Sequence, residues 1–295
     1  MASACTTMSD AQFGNRRLDV RISVIIVNWR ASAETVAAVS SLSGQSLAPS
    51  RIYVVDNGSG DGSLEQMEAA LSGQDNVMLL ANADNLGFGG GCNRALAEAL
   101  KDGCDFVWLL NNDARPASDC LAALVAAAAG DPAMGMVGSW LTDPNHPGQD
   151  HSGSWMRPWL MSCGSVCTVS DLASHRYSWV TAASVLIRTE ALAQVGLFDE
   201  NFFMYWEDAD LSMRIRSAGY RIAIADNAVV VHSAGTSSTG IPVQRYLWHY
   251  SSQKLWLRKH HSQPRLAMAL LRLKFLAKAV IDGDLRRFAA LVRRP

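Results

Sequence analysis

RISVIIVNWRASAETVAAVSSLSGQSLAPSRIYVVDNGSG, residues 21–60, decides the fold. Its first seven residues are short, apolar and rich in β-branched side chains, and they stop at polar Asn28. That is the pattern of a strand covered on both faces. Residues 32–42 read as a helix, with Gly44 near its end. Residues 51–55 return to strand and close on Asp56-Asn57-Gly58-Ser59, which is turn chemistry. The same alternation continues outward. Helices are expected at 64–71, 93–101 and 116–129, and strands at 77–80, 106–110 and 136–140. Strand and helix alternating at this spacing make βαβ units and a mostly parallel sheet. Right-handed crossovers then bring the strand C-terminal ends to one edge, where open α/β sheets bind ligands. From 143 to 178 the pattern fades into Gly, Pro, Ser, Trp and Cys, read as loops and short strands. Order returns with a strand at 179–187, helices at 189–195 and 208–217, and strands at 220–225 and 229–231 that lead to His232.

The chain has 295 residues, 49% hydrophobic and 18% charged, long enough to bury a substantial core. This composition excludes disordered, collagen-like and disulfide-scaffold classes. A net charge of -1 excludes a globally basic nucleic-acid binder. The charge is unevenly placed, however. Residues 1–253 carry 15 basic and 25 acidic side chains, and residues 254–295 carry 11 basic and 2 acidic, so an acidic body precedes a basic tail. Of six cysteines only Cys163 and Cys167 are close, a weak zinc signal, and all six read as ordinary thiols. Residues 1–14 lack the basic and apolar regions of a signal peptide, and no apolar run is long enough to span a bilayer. A cytoplasmic setting is expected.

Three polar clusters stand at strand ends: Asp56-Asn57-Gly58-Ser59, the glycine-rich run from Asn85 to Asn93, and Asn111-Asn112-Asp113. A carboxylate at a strand end can accept hydrogen bonds from a ribose or base, and Asp113 is a hard oxygen ligand for a divalent cation. Each cluster alone is also explained by Asx turns; three on one edge point to a site. The glycine run departs from a dinucleotide fingerprint, with Cys92 at its third glycine position, and the first strand–helix turn has no glycine. Both features disfavour a nicotinamide-dependent oxidoreductase. The glycines are instead expected to let backbone approach a nucleotide or sugar closely, with a helix N-terminus nearby, a flexible loop being the other reading. A fourth cluster, Phe203-Met204-Tyr205-Trp206-Glu207-Asp208-Ala209-Asp210, sets aromatic faces beside carboxylates at a helix start. Capping explains part of it. An aromatic wall for a sugar ring, with a carboxylate as general base, explains the rest.

As an ordered set these motifs resemble glycosyltransferase family 2. They comprise residues 24–29, Val54-Val55-Asp56-Asn57-Gly58-Ser59, Asn85-x-Gly87-Phe88-x-x-Gly91-x-Asn93, Leu109-Leu110-Asn111-Asn112-Asp113, and Trp206-Glu207-Asp208-Ala209-Asp210-Leu211 with Arg214. The resemblance covers roughly residues 21–235. It implies a GT-A fold, an α/β domain around a mixed, mostly parallel sheet flanked by helices. Asn28-Trp29 and the Gly87-Phe88 run are similar to the bacterial rhamnosyltransferase branch, whose usual donor is dTDP-L-rhamnose. Carried over by position, Asp56 contacts the uracil or thymine base, flanked by Val27 and Trp29. Asn28, Asn85, Gly87, Phe88, Asn93 and Asn112 complete the nucleotide-sugar site. Asp113, helped by His232, holds Mg²⁺ or Mn²⁺, although Asn111 stands where many members carry a first acid. Asp208 is the catalytic base, and Trp206 and Glu207 meet the acceptor. Ala182 replaces a frequent glycine and narrows the sugar pocket.

The resemblance implies an inverting, single-displacement transfer from a nucleotide-diphosphate sugar to a glycan or lipid-linked acceptor hydroxyl, in the synthesis of a cell-surface polysaccharide or glycolipid. A UDP-sugar transferase of the same family is the alternative, as is a catalytically inactive nucleotide-sugar-binding or carbohydrate-binding protein. The expected layout is an arm at 1–20, a catalytic domain at 21–250 and a helical basic extension at 251–295, with a helix at 264–281. Lys274 and Lys278 on that helix lie roughly opposite Arg265 and Arg272, a poor one-sided amphipathic pattern. The extension is expected to pack on the catalytic domain or on a second copy in a homodimer. Peripheral contact with anionic lipid at the inner face of the membrane is the other expectation.

Overall fold

In the computed structural model, residues 20–146, 148, 150–160, 162–232 and 242–292 are described. The arm at 1–19, Cys5 within it, residues 233–235 of the family resemblance, and Arg293 and Arg294 lie outside them. The opening stretch forms β1 (Ile22–Asn28), α1 (Ser32–Leu42) and β2 (Arg51–Asn57). There follow α2 (Ser63–Leu71), β3 (Val77–Asn82), α3 (Gly87–Lys101), β4 (Phe106–Leu110), β5 (Ala114–Pro116), α4 (Cys120–Ala129) and β6 (Met134–Thr142). The next elements are β7 (Gly153–Arg157), β8 (Ser162–Val166), α5 (Val169–Ser174), β9 (Ser178–Val180), β10 (Ser184–Arg188) and α6 (Thr189–Val195). Last come α7 (Glu207–Ser217), β11 (Arg221–His232), α8 (Pro242–His260), α9 (Pro264–Ile281) and α10 (Leu285–Val292).

One eight-stranded sheet runs in the order β3-β2-β1-β4-β10-β6-β11-β5. The pairs from β3 through β4, and β6 with β11, are parallel, whereas β10 and β5 pair antiparallel to their neighbours. Successive residues of β1 serve opposite faces. Ile22, Val24 and Ile26 join a core with α1, α2 and α4, while Ile25 joins a second core with Tyr53, Leu96 and Leu109. A third core links Phe202 and Trp206 to Trp256, Leu271 and Phe275. The C-terminal helices are thereby packed onto the body, each fully buried large side chain contributing about 2–3 kcal/mol. Helix α8 runs unbroken through residues 250 and 251. Among the described residues no helix is long and apolar enough to cross a membrane.

Several expectations need correction. The glycine run is no loop: Gly87 opens α3, and Gly89, Gly90 and Gly91 form its first turns. A Cβ on Gly90 would meet Leu86 Cβ at 2.8 Å, and one on Gly91 would meet Val27 Cγ1 at 2.9 Å. Close helix packing, which low helix propensity would not foretell, requires the glycines. The apolar run at 179–187 is two strands in two sheets, β9 in a three-stranded sheet β8-β7-β9 and β10 in the main one. The two strands expected at 220–225 and 229–231 are one, β11 (Arg221–His232), with a register shift between Ala225 and Val229. The helix expected from 116 starts at Cys120, because Ala114–Pro116 pairs with the end of β11. Pro116, lacking an N–H, is tolerated on this edge strand.

Candidate active site

The C-terminal ends of β1, β2 and β4 are joined by a continuous chain of hydrogen bonds. Asn28, fully buried, donates through Nδ2 to Asp56 Oδ1 (2.8 Å) and Ser59 Oγ (3.2 Å). Its Oδ1 accepts from Thr35 Oγ1 (2.8 Å) and from the Ala31 N–H (3.2 Å) at the start of α1. Thr35 Oγ1 in turn accepts from Asn112 Nδ2 at 3.1 Å. The Asp56 oxygens also accept from the hydroxyl (2.5 Å) and N–H (3.1 Å) of Ser59. Asp56, Asn28 and Asn112 are therefore brought together as expected. Asn28 nonetheless has no surface to offer a ligand, and its chemistry is to hold Asp56 in place. Trp29, half-buried beside this network, stacks under the Arg30 guanidinium at 5.2 Å.

Asn85 is part of a second network. Its Oδ1 accepts from the Gly87 N–H (2.9 Å) and from Asn57 Nδ2 (3.1 Å), and Asn57 Nδ2 also reaches the Gly87 carbonyl (2.9 Å). Gly87 has φ +76°, and a Cβ there would lie 2.0 Å from the Phe203 carbonyl oxygen, so only glycine fits. The Phe88 N–H donates to that same oxygen at 3.0 Å. Asn85 and Gly87 thus fasten α3 to the segment before α7, and Phe88 lines the cleft described below. Asn93 is not brought to the cleft. Its amide donates to the Phe198 carbonyl (3.0 Å) and Glu200 (2.9 Å) and accepts from the Phe198 N–H (2.9 Å).

The start of α7 floors a cleft of about 590 Å³. Tyr205 and Trp206 have φ of 67° and 71°, left-handed conformations that cost non-glycine residues about 1–2 kcal/mol each. This turn aims Trp206, Glu207 and Asp208 into the cleft, with Trp206 tilted against Trp179 at 5.1 Å between centroids. Asp208 Oδ1 accepts from the Ala209 N–H at 2.7 Å, and Oδ2 from the Ala182 N–H at 3.4 Å. Burial outweighs these bonds and raises the Asp208 carboxyl to about 6. Glu207 is driven well above the usual range by burial and then by the Asp208 charge, and its Oε2 is buried without a hydrogen-bond partner.

Asp210, fully buried one turn further on, has the opposite fate. Burial works to raise it, but His260 Nε2 (2.8 Å), Lys259 Nζ (2.6 Å) and Arg214 Nε (2.8 Å) overcome that and bring it down to about 2. A base needs a pKa near the working pH and reach to a substrate proton. Asp208 lines the cleft with a carboxyl raised to about 6, whereas Asp210 does not line it and is shifted the other way.

On the far side of the cleft, His232 Nε2 lies 3.1 Å from Asp113 Oδ1 and 3.2 Å from Asn111 Nδ2. The Asn111 N–H is tied to the Ala183 carbonyl at 2.9 Å, which sets this pair beside residues 181–183. Among the described residues no three His, Cys, Asp or Glu side chains converge as a metal cluster. One carboxylate and one imidazole, both about nine-tenths buried, fit a hard divalent cation that takes its remaining oxygens from a diphosphate.

The C-terminal helices supply a wall the sequence reading left out. Tyr246, His249 and Gln253 of α8 and Lys274, Phe275 and Lys278 of α9 all line the cleft. His249 stacks on Tyr205 at 3.8 Å, and burial, aided by Arg245, pushes its imidazole down to about 4. The signal available was the spacing of Tyr246, His249 and Gln253 on one helical face.

The sequence pattern of Glycosyl transferase family 2 matches residues 23–183, more than half of the chain, and Glycosyl transferase family group 2 matches 106–287. An N-acetylglucosaminyl-diphospho-decaprenol L-rhamnosyltransferase of Mycobacterium tuberculosis is 28% identical over 264 residues, 81% of this chain and 84% of that protein. The rhamnosyltransferase WbbL of Escherichia coli is 28% identical over 81 residues, 28% of this chain and 31% of that one. Among solved structures, the mannosyltransferase PcManGT from Pyrobaculum calidifontis, in complex with GDP-Man and Mn²⁺, matches with a TM-score of 0.60 at 19% identity. That match covers 92% of this chain and 78% of the other. TarS from S. aureus in complex with UDP matches at 0.54 and 18% identity, covering 85% and 70%. These structures share the GT-A architecture of this chain.

Proposed function

Because the chain belongs to glycosyltransferase family 2 and is a glycosyltransferase of the GT-A fold, we propose that it transfers L-rhamnose from dTDP-L-rhamnose, with inversion, to a hydroxyl of a lipid-linked glycan. The M. tuberculosis relative, named for that sugar and for a diphospho-decaprenol acceptor, supports this reading. The observation that carries it is Asp208, a carboxylate raised to about 6 at the floor of an aromatic-walled cleft. Asp208 takes the proton from the acceptor hydroxyl as that oxygen attacks the anomeric carbon from the face opposite the departing nucleoside diphosphate. Trp206 and Trp179 offer ring faces to the acceptor sugar. Glu207, held protonated by burial, donates a hydrogen bond to it.

On the donor side Asp56 meets the base beside Val27 and Trp29, and Phe88 closes the sugar pocket with Ala182. Asp113 and His232 would hold Mg²⁺ or Mn²⁺. When bound, such an ion neutralises charge on the departing diphosphate. The proposal includes a cytoplasmic setting at the inner face of the membrane, where a polyprenyl-linked acceptor is met.

A donor panel tests the reading. Thermal shift and nucleotide release are measured with dTDP-, UDP- and GDP-sugars, with and without Mg²⁺ or Mn²⁺. Stabilisation and release with dTDP-L-rhamnose, lost on treatment with EDTA, are expected. A response restricted to UDP-sugars would replace rhamnose with another sugar while leaving the family intact.

A further inference from the structure

Helix α9 is apolar on two opposite faces. Ala267, Leu271, Phe275 and Ala279, spaced four apart, are buried against the body. On the other side Leu266, Leu273 and Val280, spaced seven apart, are 50%, 64% and 64% exposed, and Ile281 and Leu285 beyond them are 83% and 81% exposed. At 3.6 residues per turn the outer positions, Ala269 and Ala277 included, span roughly a third of the circumference without a charge. Lys274 and Lys278 border this stripe on one side, and Arg265 and Arg272 on the other. The split of basic residues that argued against an amphipathic helix is therefore a pair of flanks on an exposed apolar stripe. An exposed apolar surface of this length calls for a partner.

We propose that the outer face of α9 docks on an anionic lipid bilayer and so sets the mouth of the catalytic cleft at the level of the lipid headgroups. Charge complementarity selects this occupant. Basic side chains on both flanks match anionic headgroups while the stripe enters the acyl boundary. A second copy of the chain fits poorly, since a two-fold pairing of this face sets basic flanks against basic flanks. The acids nearest the stripe, Asp282 and Asp284, are held by Arg287, and Asp282 also lies 3.5 Å from Lys278 Nζ. Lys274 and Lys278 line the cleft as well as the stripe. The flank that meets headgroup phosphates is thus continuous with the wall an acceptor passes on its way to Asp208. The biological use of this surface rests on the lipid-linked acceptor proposed above, whereas its existence does not.

Co-sedimentation tests it. The full chain is mixed with vesicles of equal parts phosphatidylglycerol and phosphatidylcholine, or of phosphatidylcholine alone, at low and high salt. The expected result is pelleting with the anionic vesicles, weakened by salt, and a loss on the order of tenfold or more for Leu273→Glu with Ile281→Glu. Neither residue lines the cleft, so transfer to a water-soluble acceptor is expected to be unchanged in that variant. Should the double variant misfold, Leu273→Ser, a polar replacement at an exposed site, takes its place. The proposal is overturned by a wild-type chain that stays in the supernatant, by variants that pellet like wild type, or by a solution dimer that these substitutions dissociate. Vesicle binding by a chain that transfers no rhamnose would instead remove the donor assignment and leave this surface standing.

Discussion

At the strand edge, Asp56 commits both oxygens to Asn28 and Ser59, and the chain of bonds continues through Thr35 to Asn112. At the start of α7, Glu207 Oε2 has no hydrogen-bond partner, and Asp208 accepts from the Ala209 N–H, from the Ala182 N–H at 3.4 Å and from the Thr181 hydroxyl. Both regions bury carboxylates, but at the strand edge each oxygen has a partner, whereas at α7 burial outweighs the bonds that Asp208 accepts and Glu207 Oε2 has none. A saturated network fixes shape, since every buried polar group is satisfied. An unsaturated one keeps a carboxylate basic and ready for a proton. The contrast recurs within α7 itself, where Asp210, two residues past Asp208, has two cationic partners, Arg214 and Lys259, beside the His260 imidazole, and the reverse shift.

The largest expected effect breaks the reactive half. Asp208→Asn is expected to lower kcat by about 10²–10⁴ while the donor-induced thermal shift stays at its wild-type size; undiminished turnover would remove Asp208 as the base. In the saturated part, Asp210→Asn strips a buried charge from Arg214, Lys259 and His260 and is expected to cost about 3 kcal/mol of stability, read by denaturant unfolding. The pH sign follows from its depressed pKa. The Asp210 contribution is complete above the unfolded value of 3.8 and is lost as pH falls toward about 2.

Smaller in size is Gly91→Ala, whose Cβ would press on Val27 Cγ1 and the Asn57 amide. A loss of about 1–3 kcal/mol is expected, with the donor affinity of the folded fraction preserved because the glycine serves packing. Smallest, and opposite in sign, is Glu207→Gln. Its raised pKa means that the folded state favours the protonated acid, so stability is lost as pH rises through the folded value. A neutral amide relieves that loss, and a rise of a few degrees in Tm near neutral pH is expected from about 1 kcal/mol. A fall in Tm would mean that Glu207 is satisfied after all.

The sequence showed the fold wherever local pattern and burial coincide. Residues 32–42, 106–110, 189–195 and 264–281 adopt the expected elements with those bounds. It failed where tertiary packing overrules local preference. Nothing in the apolar run at 179–187 announces that the chain changes sheets at 181–183. Nothing in a glycine run of poor helix propensity announces a helix start wedged against Leu86 and Val27. The same division holds for the site. Asp56, Glu207 and Asp208 stand in recognisable motifs, and the structure brings Glu207 and Asp208 together with Phe88 and His232 around one cleft. Tyr246, His249 and Lys274 reach that cleft only because α8 folds back onto α7 and α9 packs on α8, contacts between segments distant in sequence. The basic tail stands apart from the body by its charge, whereas its Lys274, Phe275 and Lys278 line the cleft.

The proposed role of Asp208 as base for an acceptor hydroxyl rests on its burial at the start of α7. The pH dependence of kcat/KM for sugar transfer tests it most directly, because it reports the ionisation of the free enzyme. kcat/KM is expected to rise with pH through an inflection near 6, and Asp208→Asn to abolish the inflection along with most of the rate. An inflection near 4, or one near 6 that survives in Asp208→Asn, would contradict it.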